Sequence, residues 1–152
     1  MELILLPLKG FNNLNFGCTP EEFTAVYGEP NEKEELKDEV FNDDATVFHY
    51  WDLGFSAFFT KKPNETFSSI EIDNKNAVMF DKKIFELNEK EVIALFKEKS
   101  YPLSESEMHE WGEKRLSFDD ACVDLYFANN KLTSINYGIN TDIAGPFYYF
   151  PN

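Results

Sequence analysis

A chain of 152 residues with 43% hydrophobic and 16% aromatic content can fill one ordinary domain, and this excludes the composition of a disordered chain. Its formal net charge of −14 excludes the basic stripe that nucleic-acid binding needs, and it repels anionic lipid surfaces. The same charge favours a basic protein partner, or solubility alone.

The chain opens with "MELILLPLKG". Glu2 stands where a secretory signal would carry basic residues, and the apolar run is too short for a signal or a membrane span. The segment reads as an N-terminal strand, and the expected location is the cytoplasm. "FGCTPEEFTAVYG", residues 16–28, reads as a capped helix. Thr19 is a good N-cap, Glu22 completes a capping box, and Pro20 suits the first helical position. Phe23, Val26 and Tyr27 form an apolar stripe, and Gly28 with Pro30 ends the helix. The stretch 29–44 is strongly acidic. It reads as a connection, either a solvated loop or a docking surface in which Glu34, Glu35 and Asp38 meet a basic cleft.

Three strands follow. Alternation sends Phe48, Tyr50, Phe55, Phe59, Ile70 and Ile72 to a face that packs on the helix. The other face receives His49, Trp51, Ser56, Phe58, Ser69 and Glu71. "AVMFDKKIF", residues 77–85, reads as a strand and turn leading onward.

The pattern is then written a second time. "FELNEKEVIALFK", residues 85–97, aligns with the first helix: Phe85 on Phe16, Asn88 on Thr19, Glu91 on Glu22, and Val92, Leu95 and Phe96 on Phe23, Val26 and Tyr27. In the strands Leu116 and Phe118 match Phe48 and Tyr50, and Val123, Leu125 and Phe127 match Phe55, Ala57 and Phe59. Ser134-Ile135 matches Ser69-Ile70, and the length difference falls in a hairpin turn, where it is tolerated. The second open face receives Arg115, Ser117, Asp124, Tyr126, Ser134 and Asn136. The expected fold is α+β: one domain over 1–152 made of two units, about 11–73 and 80–138. Each is a helix plus a three-strand meander, sharing an antiparallel sheet with helices on one face and the other face open. An aromatic tail, "GPFYYFPN", ends the chain and can pack on that face.

The segment "FGCTPEEFTAVYGEPNE" with the aromatic strands after it resembles the helix-then-meander unit of the small lipoprotein family of outer-membrane barrel assembly. Two such units in tandem resemble the beta-lactamase inhibitory protein family, and this implies a joined sheet offering an aromatic-rich face to a protein target. The chain lacks that family's disulfide pair within each unit and has no cysteine placed for lipidation. The expectation therefore shifts to a cytoplasmic binding protein of the immunity type, which neutralises a toxin.

His49, Trp51, Phe58, Asp124 and Tyr126 are the candidate partner-binding residues of the open face, because grouped exposed aromatics mark interaction sites. A small enzyme using His49 as general base with Asp124 or Glu71 is the alternative reading, and a structural or assembly subunit is a third. Cys18 precedes a helix N-terminus, where a thiolate can be favoured, but no histidine is placed beside it, so a small buried thiol is expected. Cys122 on its strand is expected to be buried too. The two cysteines are expected to be free. No spacing of Cys, His, Asp or Glu suggests a metal, no glycine or serine motif suggests a cofactor or nucleophile elbow, and none is expected.

Overall fold

The computed structural model describes residues 3–37, 44–61 and 64–139. In chain order the first half holds β1 (Leu3–Leu6), β2 (Gly10–Phe11), β3 (Leu14–Asn15), α1 (Pro20–Tyr27), β4 (Glu32–Leu36), β5 (Ala45–Tyr50), β6 (Phe55–Thr60) and β7 (Thr66–Ile72). The second half holds β8 (Ala77–Met79), β9 (Lys82–Lys83), α2 (Glu89–Glu98), β10 (Glu105–Met108), β11 (Lys114–Phe118), β12 (Val123–Ala128) and β13 (Lys131–Gly138). The C-terminal tail from residue 140, and Asp38 in the acidic stretch, lie outside the described residues.

The fold is α+β, as expected. Its main sheet has eight antiparallel strands in the order β10-β11-β12-β13-β7-β6-β5-β4. The two halves meet at the β13–β7 seam, with Ile135 opposite Ile72 and Tyr137 opposite Ile70. A Cβ on Gly138 would stand 2.6 Å from the Ser68 carbonyl oxygen, so this seam needs glycine there.

Both helices begin as their sequences dictate. The Thr19 hydroxyl accepts the Glu22 N–H at 3.1 Å, and Asn88 Oδ1 accepts the Glu91 N–H at 2.9 Å. Each glutamate in turn accepts the N-cap N–H, so both capping boxes are complete. α1 drives Phe23 into the main sheet, where its ring lies 5.5 Å from Phe59 and 5.2 Å from Phe67. α2 buries Val92, Leu95 and Phe96, and Phe96 stacks on Phe118 at 4.1 Å. Every strand residue assigned to the helix-side face is buried. Each such large apolar side chain contributes roughly 1.5–3 kcal/mol by leaving water.

Val26 leaves the expected stripe and is 57% exposed, so Phe23 is the one buried residue of α1, and two larger features also differ from expectation. The N-terminal strand and residues 77–83 do not extend the main sheet. They form a second sheet, β3-β2-β1-β8-β9, in which β1 and β8 run parallel. Phe11 and Phe16 fasten it to the helix side of the main sheet, against Phe55 and Phe67. The buried Tyr137 hydroxyl donates to the Gly10 carbonyl at 2.7 Å and accepts the Leu6 N–H at 3.3 Å. The acidic connection is also not a loop: Glu32–Leu36 forms β4, paired with β5 from Glu32–His49 to Leu36–Ala45. Glu105–Met108 does the same on the far edge against β11. Each meander therefore has four strands, not three. All residues of β4 and β10 are exposed, so main-chain pairing makes these strands and no apolar face does. Their charges also discourage a further strand from adding to the edges. Among the described residues, no helix is long and apolar enough to cross a membrane.

Candidate binding face

The face turned away from the helices carries one continuous cross-strand row. It runs from Glu32 through His49, Ser56 and Glu71, crosses the seam to Asn136, and continues through Asp124 and Ser117 to Glu105. Residues directly opposite in antiparallel strands share a face, so the row is a property of the register.

His49 is the most connected member. Its Nδ1 lies 2.8 Å from Ser56 Oγ and its Nε2 2.9 Å from Glu34 Oε1. The tautomer carrying hydrogen on Nε2 satisfies both contacts, donating to Glu34 and accepting from Ser56. The ring also stacks on Trp51 at 5.5 Å and 22°, and Trp51 is 59% exposed. A second stack stands near the opposite edge of the sheet. In the β10–β11 turn His109 lies on Trp111 at 4.3 Å and 5°, with Tyr126 beyond it at 6.5 Å. Trp111 is 72% exposed. Its indole N–H donates to Glu113, which also accepts the Thr133 hydroxyl of β13 at 3.0 Å, so the turn folds back over the sheet. Five strand spacings separate β5 from β11, roughly 24 Å along the sheet.

Carboxylates fill the interval between the stacks. Glu71 is an exposed residue of β7, yet partial desolvation first, then Asp73, pushes its carboxyl above its usual range; His49 opposes the rise and Glu113 adds to it. Burial and then Asp124 raise the Tyr126 hydroxyl. Arg115 is engaged by Glu107 at 2.8 Å and Glu105 at 3.2 Å. A cleft of about 370 Å³ opens beside Trp51, lined by His49, Gly54, Phe55, Ser56, Glu71 and Asp73.

Of the residues nominated from sequence, His49, Trp51, Phe58, Asp124, Tyr126 and Glu34 share this face. Phe58 is half-buried, opposite Val47 and Ser69. Glu35 does not join them. Strand alternation turns it to the helix side, opposite Thr46, where it pairs with Lys61, whose hydrogen bond holds its carboxyl below the usual range. Asp38 lies outside the described residues. Asp124 stands four strands from His49, roughly 19 Å, which removes it as a partner for that imidazole. Sequence reasoning missed Trp111 and His109. Their signal was the His-x-Trp spacing, present at 49–51 and again at 109–111.

Both cysteines are free and half-buried rather than fully buried. Burial, then Glu22, pushes the Cys18 thiol up to about 12, and burial with Asp119 raises Cys122. Neither favours the thiolate that nucleophilic chemistry needs. Among the described residues, no group of three or more His, Cys, Asp or Glu could hold a metal ion. No family model matches the chain, and neither a curated protein nor a solved structure matches it.

Proposed function

We propose that this chain is an acidic protein-binding module whose open sheet face docks on a basic protein, in concrete form an immunity-type inhibitor that occludes a basic toxin or enzyme active site. The observation that carries the reading is the pair of exposed Trp–His stacks with carboxylates between them. Tryptophan is the commonest binding hot spot, and a rigid stack loses little entropy when covered. The acidic interval supplies complementarity to a cationic surface.

The scaffold in this reading is a tandem of two units, about 11–73 and 80–138. It is supported by the two capping boxes, by buried Phe23 and Val92, and by Phe59 and Phe127 on the same sheet face. The register shifts between Phe58 and Phe59 in one half and between Tyr126 and Phe127 in the other, at matched positions. The likeness to the beta-lactamase inhibitory protein family is an architectural analogy to the same effect.

A second reading rests on the Ser56–His49–Glu34 chain, which has the connectivity of a hydrolytic triad. Its surroundings oppose it. Glu71 is directly opposite Ser56, so an oxyanion formed there would face a carboxylate. Ser56 also lies on a strand paired on both sides, which commits nearby N–H groups to the sheet.

The test uses the chain and its Trp51→Ala/Trp111→Ala variant as parallel baits, then measures binding of the captured protein after purification. A basic protein that binds the parent at least about tenfold more tightly than the variant supports the docking reading. Equal binding removes this face as the docking surface. Stoichiometric labelling of Ser56 by a fluorophosphonate would transfer the site to the hydrolase reading.

A further inference from the structure

The cleft beside Trp51 differs from the rest of the face in being walled. One wall is the Trp51 indole, backed by His49 at 5.5 Å. The other is Glu71, near the end of β7, and Asp73, just beyond that strand, both of which line the cleft. Phe55, only 3% exposed, contributes an apolar lining. At about 370 Å³ the space suits one long side chain.

The walls are held in place. Gly54 turns the chain at φ +77°, and a Cβ there would meet Asn74 Cβ at 2.7 Å. The Asp73 N–H donates to the Gly54 carbonyl at 3.1 Å, and Asn74 Nδ2 donates to the Leu53 carbonyl at 2.8 Å. Both His49 nitrogens are already engaged by Ser56 and Glu34. The cleft therefore gathers an exposed aromatic ring and two like charges around one space, an arrangement that a planar cation relieves. A guanidinium can stack on an indole while its fork reaches carboxylates; an ammonium does the second without the first.

We propose that this cleft is an arginine-acceptor pocket, taking one arginine side chain of the protein partner between Trp51 and the Glu71–Asp73 pair. The identity of the partner rests on the docking reading, but the pocket is testable without it. The ¹⁵N-labelled full chain is titrated with N-acetyl-arginine methylamide, and in parallel with the lysine analogue and the neutral citrulline analogue. The expected result is a saturable millimolar response at the Trp51 indole N–H and the Gly54 and Ser56 amides. It should be stronger for arginine than for lysine and absent for citrulline. Glu71→Gln/Asp73→Asn should weaken arginine binding by about tenfold or more, since charge-assisted hydrogen bonds are lost. Its amide spectrum outside the cleft reports that the variant is folded.

Equal responses to arginine and citrulline would overturn the proposal. So would shifts shared equally with the Trp111 indole, which would mean diffuse charge attraction, or a midpoint that the double variant leaves in place. If arginine fills the cleft but a purified partner ignores Trp51 and Trp111, the pocket stands and the docking reading falls. If the partner needs those tryptophans but the cleft stays silent to arginine, the pocket falls alone.

Discussion

Glu71 holds a carboxylate where its surroundings resist one. Although the residue is exposed on β7, partial desolvation and Asp73 lift its folded-state affinity for a proton above the unfolded value. A carboxyl raised in this way binds its proton more tightly in the folded chain, so stability declines as pH rises from the ordinary carboxylate range, about 4, to the raised value. Above that interval the full penalty is present. Glu71→Gln should therefore melt at a higher temperature than the parent at pH 7, and the difference should shrink to nothing below the ordinary carboxylate range. A variant that melts lower at pH 7 would show that Glu71 is held by favourable contacts instead. A higher melting temperature for Glu71→Gln at pH 7 would fit a binding role for this cleft residue, since sites commonly retain groups that cost stability. The lifted carboxyl itself was invisible in sequence, because Asp73 is a near neighbour but Glu113 arrives from another hairpin. By contrast the opposite fates of Glu34 and Glu35 follow from a period of two once the strand is known.

At the scale of elements, legibility followed apolar patterning and capping. Thr19-x-x-Glu22 and Asn88-x-x-Glu91 marked both helix starts correctly. β4 and β10 escaped because Glu-Lys-Glu-Glu-Leu and Glu-Ser-Glu-Met have no apolar face; their strands exist because β5 and β11 had edges to fill. Phe67 escaped for another reason. An extra residue, Ser68, lies between the partners of Phe58 and Phe59, so Phe67 and Ile70 both reach the core despite their odd spacing. On β6, Phe58 and Phe59 themselves stay on opposite faces. Phe59 is fully buried, with Phe48 at 4.7 Å and Phe23 at 5.5 Å. Phe59→Ala should cost ~3–5 kcal/mol, as emptying a buried Phe site does. Phe58→Ala, cutting a half-buried ring on the other face, should cost well under half of that. Denaturant midpoints at unchanged m decide it: equal losses would mean that the two faces of β6 are buried alike.

The whole molecule combines what sequence shows well with what it hides. The charge of −14 and the two-sided main sheet were legible; the five-stranded sheet was not. Its central pairing joins Leu3–Leu5 to Ala77–Met79, short strands far apart in sequence, and no local pattern records such a partnership. That second sheet thickens the helix side, and the row from Glu32 to Glu105 lies on the other face. Charge and anchor should then act on different rates. Glu32→Lys/Glu105→Lys reverses charge at the two ends of the open-face row. Glu21→Lys/Glu98→Lys makes the same change in net charge on the helices. With a verified basic partner at low salt, the first pair should slow association severalfold more than the second and flatten its salt dependence, because steering fades over ~8 Å at physiological ionic strength. Dissociation should hardly change in either. Trp51→Ala should behave in the reverse manner, leaving association alone and raising the off-rate about 30-fold if Trp51 anchors the complex. Equal slowing by both charge pairs would mean that net charge alone attracts the partner. An off-rate indifferent to Trp51 would shift the anchor to the Trp111 end, where the same substitution is the next measurement.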